Sequence, residues 1–293
     1  MIIFIMWVFD LRTLKNLLIL ARFDRPIGIF LLLWPTLTAL FVASEQMPSM
    51  KLLLIFTFGT ILMRAAGCVM NDIFDVNIDK HVQRTKQRLL VTAEVSRSDA
   101  IKFLICLLFL CALLVVQLNL FAIALSIAAL IFSMLYPLTK RFFKLPQLIL
   151  GITFGFGILM SFAAIKNEIT LDAWLLFIAN VFWALSYDSH YAVADLKDDQ
   201  ALPIYSSAKT FQSYAAHFIL LSYFAMYLAL YSLAKINDVS LACYFLLTCS
   251  LIIAMHGVRN SWNLDPKDNF VAFRNNNYVG LLFFLAFLAE NFV

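Results

Sequence analysis

Charge is what this sequence has least of. Lys, Arg, Asp and Glu make up 14% of its 293 residues, while 63% are hydrophobic and the mean hydropathy is +0.87. Soluble domains carry about 25% charged residues, so this chain is short of the surface charge that water demands. Glycine is scarce too, eight residues against 29 phenylalanines. Five cysteines (Cys68, Cys106, Cys111, Cys243, Cys249) all fall inside apolar stretches without ligand spacing, which argues against a zinc site or a disulfide framework. The N-terminal MIIFIMWVF lacks a basic n-region and a small-residue cleavage site, so it is not read as a signal peptide. An Arg/Ser-rich presequence is equally missing, which favours a bacterial inner membrane over a mitochondrial one. The class left is an all-α, polytopic membrane protein, a single domain over 1–293.

What the sequence has in abundance is apolar runs of about 16–20 residues. Nine are read, at 27–43, 51–70, 101–117, 119–136, 147–165, 171–187, 211–233, 240–256 and 276–293. Ahead of them, residues 1–23 are expected to form an interfacial segment. There Leu11, Leu14, Leu18 and Ala21 repeat at helical spacing against Arg12, Lys15 and Arg22, as in an amphipathic helix lying on the membrane. Nine spans divide the basic residues sharply. Eighteen of the 22 lie on the side of the N-terminus; Lys51, Lys166 and Lys235 lie on the other, and Arg64 sits within a span. The positive-inside rule then places the N-terminus in the cytoplasm. The net charge of +4 follows from this topology, with no nucleic-acid partner implied.

That orientation puts two acidic stretches, NDIFDVNID (71–79) and YDSHYAVADLKDD (187–199), in cytoplasmic loops after the second and sixth spans. If the second span continues as a helix, Asn71, Asp75 and Asp79 stand at i, i+4 and i+8 on one face. Asp195 and Asp199 repeat the step, with Asp188 further back. Like charges at this spacing repel unless a cation joins them, and carboxylate and amide oxygens suit Mg²⁺ shared with phosphates. Neighbouring Arg84, Lys86 and Arg88 fit a polyanion. The plainer reading is a solvated loop. Arg64, on the same helical face as Asn71, marks either a site or a structural ion pair. His190 is read as a proton carrier or as filler.

The run 64–88, RAAGCVMNDIFDVNIDKHVQRTKQR, resembles the first aspartate-rich motif of UbiA-type intramembrane prenyltransferases, NDxxDxxxD, and 187–199 resembles their second. DRPIGIFLLLWPTLTAL (24–40), YPLTKRFFKLPQ (136–147) and FRNNNYVGLLFF (273–284) are similar to the branch acting on 4-hydroxybenzoate in ubiquinone synthesis. The resemblance implies nine transmembrane helices around a central cavity, open to the lipid bilayer and capped by the acidic motifs on the cytoplasmic side. It implies that Asn71, Asp75, Asp79, Asp195 and Asp199 hold Mg²⁺ against the diphosphate of a polyprenyl diphosphate, with Asp72 and Asp188 in support. Arg84, Arg88 and Lys140 would face that diphosphate. Arg141 is expected near the transferring carbon, Arg25 or Arg64 at the benzoate carboxylate, and Tyr136 and Tyr191 beside the allylic cation. Ring carbon 3 would attack, with Asp188 or Asp195 receiving the proton. Another aromatic acceptor is the alternative within the family. A cation-coupled transporter would place its acids near mid-bilayer and show inverted repeats; here the acids gather at one surface.

Overall fold

A computed structural model describes residues 10–44, 47–80, 85–200 and 202–292. Among them all regular structure is helical: α1 (Leu11–Leu20), α2 (Ile27–Ala43), α3 (Met50–Asp79), α4 (Arg97–Val115), α5 (Leu120–Thr139), α6 (Pro146–Lys166), α7 (Leu171–Asp199), the short α8 (Ser207–Phe211), α9 (Ala215–Ile236), α10 (Leu241–Asn260) and α11 (Pro266–Ala289). Seven segments are long and apolar enough to cross a membrane: α3, α4, α5, α6, α10, Ser207–Ile236, and α11 extended to Phe292. Helix α2 is apolar but has 17 residues, and α7 dilutes its apolar stretch with Asp172 and Asn180.

Polar caps start these helices where the hydrophobic runs begin. Ser49, Ser96, Asn119, Thr170 and Ser240 each accept the backbone N–H of the third residue on, satisfying a donor that the helix leaves unpaired. Asp10 caps α1 the same way; the Thr13 N–H and hydroxyl hold its carboxyl below the usual carboxylate range. Helix ends depart from the expected spans. The second and sixth spans do not stop at 70 and 187 but run on as helix to Asp79 and Asp199, so both acidic stretches are helical rather than loop. Hydropathy ends where charge begins; backbone hydrogen bonding does not. The last helix likewise starts at Pro266 rather than 276, because Asn269 and Asn276 point inward and are satisfied there.

The main core joins α2, α6, α7, α9, α10 and α11 around Trp183, Tyr223, Met226, Phe162 and Phe283. A second cluster packs α1 and α4 on α3 through Leu17, Leu20, Val69, Phe103 and Leu107. On and just after α1, Leu17, Leu20 and Ala21 are buried and Leu14 partly so, while Leu11 and Leu18 are exposed. The residues touching α3 are fixed by where the helix docks, not by its hydrophobic stripe alone. Buried and half-buried amides pin the main core. The Asn276 Oδ1 accepts from Trp183 Nε1 at 2.8 Å and from the Tyr223 hydroxyl at 2.9 Å, and Trp34 Nε1 donates to Asn277 at 3.1 Å. His190, buried, joins Asn269 Oδ1 through Nδ1 at 2.8 Å. The amide nitrogen of Asn269 donates to Ser261 and Asp265 carbonyls, so its oxygen accepts and His190 carries the proton on Nδ1. The imidazole thus ties α7 to α11.

Candidate active site

Because α3 stays helical to Asp79, Asn71, Asp75 and Asp79 fall on one face, as their spacing requires. Asp75 and Asp79 are buried and Asn71 is half-buried. A bare pair of buried carboxylates one turn apart is unstable, and cations from three other parts of the chain answer it. Lys140, just past the end of α5, pairs with Asp75 Oδ2. Arg88 donates to Asp79 Oδ2 at 2.6 Å and stands 2.9 Å from Asp72 Oδ1. Asp72, 2% exposed, also takes Arg22, whose Nη2 lies 3.0 and 2.7 Å from its two oxygens.

Arg22 closes α1 as well as reaching Asp72. Its backbone is left-handed, with φ 63°, and its other guanidinium nitrogen donates to the carbonyls of Leu20 and Ile19. That conformation is uncommon outside glycine, and here the ion pair with Asp72 accompanies it. The loop after α3 is tied the same way, with Thr85 Oγ1 donating to the Asp79 carbonyl.

Asp188, Asp195 and Asp199 lie along α7, all half-buried. Asp188 has the Gln147 side chain beside it, and Gln147 accepts the Ser207 N–H at 3.1 Å, linking α6 to α8. Tyr136 of α5 lies within electrostatic reach of Asp188, Arg64, Asp75 and Tyr191, so α3, α5 and α7 converge on it. Tyr191 packs its ring against Phe273, 4.9 Å between centroids. Lys209 Nζ donates to the carbonyls of Asp199 and Leu202, closing the end of α7.

Of the residues expected from sequence, Asp75, Asp79, Arg88 and Lys140 form one charged cluster, and Arg64, Tyr136 and Asp188 gather below it. Arg84 lies outside the described residues. Arg25 is exposed and, among the described residues, pairs with its neighbour Asp24, at 3.4 Å. Arg141 is exposed at the rim, where it donates to the Phe74 carbonyl at 2.9 Å. Arg64 is the opposite case. Its Nη1 donates to Cys68 Sγ at 2.8 Å and its Nε is buried without a partner. Arg22 and Gln147 went unread as site residues. Arg22 stands 50 residues from Asp72, and no local pattern joins them.

Among the described residues, no three acidic, His or Cys side chains stand close enough together to hold a metal on their own. The donors still suit a hard divalent cation. Asp75 Oδ1 is buried with no hydrogen-bond partner, its other oxygen is held by an exchangeable ammonium, and the Asn71 amide shares its helical face.

Comparison with known proteins gives this arrangement a context. The model of the UbiA prenyltransferase family matches residues 32–287. A 4-hydroxybenzoate octaprenyltransferase of Polynucleobacter asymbioticus is 44% identical over 268 residues, covering 91% of this chain and 93% of that protein. The protein of the same name from Pseudoalteromonas translucida is 41% identical over 269 residues, 92% of each. Among solved structures, an apo UbiA homolog from Aeropyrum pernix K1 shares the fold with a TM-score of 0.78 at 21% identity, covering 90% of this chain and 97% of that one. A UbiA homolog from Archaeoglobus fulgidus bound to GPP and Mg²⁺ gives 0.74 at 15% identity, over 95% and 100%.

Proposed function

The chain belongs to the UbiA prenyltransferase family, and from that premise we propose that it transfers a polyprenyl group from polyprenyl diphosphate to carbon 3 of 4-hydroxybenzoate, a step of ubiquinone biosynthesis. The observation that carries this reading is the 44% identity over nine-tenths of the chain to an enzyme of that name. The fold reading goes with it: α2 and α7 join the seven apolar segments to make nine spans around a central cavity, and α1 lies at the interface. The 18-to-3 division of basic residues supports a bacterial inner-membrane location with the N-terminus and acidic mouth cytoplasmic.

Asn71, Asp75, Asp79, Asp195 and Asp199 would hold Mg²⁺. When bound, the ion supplies neutralisation of the diphosphate's charge, which eases departure of that group from the allylic carbon. Arg88 and Lys140 stand at the same carboxylates and turn to the diphosphate oxygens when the donor arrives, and Arg84 is assigned to the same anion from its place in the motif. Tyr136 and Tyr191 present ring faces to the positive charge growing on the allylic carbon. Arg64, rather than the exposed Arg25, receives the benzoate carboxylate, and Arg141 holds the rim by its bond to Phe74. Asp188, oriented by Gln147, takes the proton that leaves the ring as the new C–C bond forms. The apolar walls keep water from the allylic cation.

The test incubates detergent-solubilised protein with labelled 4-hydroxybenzoate, polyprenyl diphosphates of several lengths and Mg²⁺, beside Asp75→Ala. Prenylated benzoate from the wild type, reduced on the order of a hundredfold or more in the variant, is the expected result. Folded wild-type protein that gives no product with any donor sinks the proposal.

A further inference from the structure

Helical spacing leaves Asp72 off the face that Asn71, Asp75 and Asp79 share. It follows Asn71 by one residue, about 100° around the helix. It carries two cations all the same. Arg22 Nη2 lies 3.0 and 2.7 Å from its two oxygens, and Arg88 Nη1 lies 2.9 Å from Oδ1. Two guanidinium groups on one buried carboxylate are one more than charge balance asks, and the second calls for a reason.

The two arginines are held differently. Arg22 is fastened from behind: its Nη1 donates to the Leu20 and Ile19 carbonyls at 3.1 and 3.4 Å, and its backbone N–H donates to Ile19 at 2.9 Å. Those carbonyls end α1, where a cation is favoured, and α1 itself is seated against α3 and α4 by Leu17 and Leu20. Arg88 stands in the turns that follow α3, with its Nη1 between two carboxylates, 2.9 Å from Asp72 and 2.6 Å from Asp79. Arg22 is a fixture; Arg88 is shared.

In the proposed reaction, on which this inference rests, Arg88 leaves these acids for the diphosphate. Asp79 then passes to Mg²⁺, as Asp75 does when Lys140 turns away. Asp72, off that face, gains no such replacement, and a buried carboxylate stripped of its cation is strongly disfavoured. We infer that Arg22 is a positioning residue for donor binding: it keeps Asp72 paired whether or not Arg88 is there, and so leaves Arg88 free to move to the diphosphate. Without Arg22, Asp72 has Arg88 alone and holds it back.

Isothermal titration of the detergent-solubilised protein with inorganic diphosphate and Mg²⁺ reads this without turnover. Arg22→Ala is expected to weaken diphosphate binding about tenfold, the effect of one charged hydrogen bond. In turnover the KM for polyprenyl diphosphate rises by a similar factor, while that for 4-hydroxybenzoate stays put. The deciding arm is the double variant Arg22→Ala/Asp72→Asn. With no charge left at residue 72, Arg88 is released and diphosphate affinity returns to within about threefold of the wild type. An arginine that only braces the fold predicts the reverse, a second loss on top of the first. Arg22→Gln, which keeps an amide for the Ile19 and Leu20 carbonyls, serves if Arg22→Ala fails to fold. Diphosphate affinity equal in wild type and single variant, or no tighter in the double variant than in the single one, overturns the inference, as does a wild type that binds no diphosphate. Prenyl transfer that is absent while the binding loss and its rescue persist overturns the proposed activity instead and leaves the role of Arg22 standing.

Discussion

At the scale of single residues, the first aspartate motif works by division of labour. Asp75 and Asp79 share the face of Asn71 and point at the cluster, whereas Asp72 turns aside to hold Arg22 and Arg88 together. Removing Asp72 leaves two guanidinium groups facing each other, while removing Arg22 leaves Asp72 still paired with Arg88. Asp72→Ala is therefore expected to destabilise the protein by about 3 kcal/mol, and Arg22→Ala by clearly less. Thermal unfolding in detergent reads both, and equal losses would contradict the arrangement. The shared face of Asn71, Asp75 and Asp79 was legible because helical spacing is visible in a linear sequence. Arg22 was not, since on a short helix it reads as one more residue of the polar face.

At the scale of elements, polar side chains in apolar helices serve as joints. Asn276 satisfies the only polar atoms of Trp183 and Tyr223 from two other helices. Asn276→Leu orphans both donors in a dry interior and is expected to cost 2 kcal/mol or more, on the order of 1–3 kcal/mol for each unsatisfied group; chemical unfolding measures it. Existence and order of the helices were readable from the apolar runs. Their ends were not, because a helix is ended by its hydrogen bonds and caps while a span is ended by its solvent. The acidic stretches sit in that difference, as helix projecting beyond the apolar segment, and this projection carries the carboxylates in a fixed row. The buried side of α1 was likewise unreadable: Leu17 and Leu20 are chosen by the surface of α3 and α4.

At the scale of the whole molecule, cations supplied by the chain itself balance the acidic cluster. Arg22 comes from the turn after α1, Arg88 from the loop after α3, and Lys140 from the end of α5. Chelation with EDTA is thus expected to stop prenyl transfer, with recovery on adding Mg²⁺, yet to lower the melting temperature by no more than about 2 °C, the shift that a fraction of a kcal/mol makes. A collapse of the melting temperature on chelation would show that the metal, and not the chain, holds the carboxylates. The same pairings set a timetable for synthesis. A chain emerging from its N-terminus has Arg22 in hand before Asp72 appears and makes Arg88 soon after, but Asp75 waits 65 residues for Lys140. Until α5 has been made, the nascent protein holds an acid with no partner of its own, and the mouth of the site is finished only when the middle of the chain arrives.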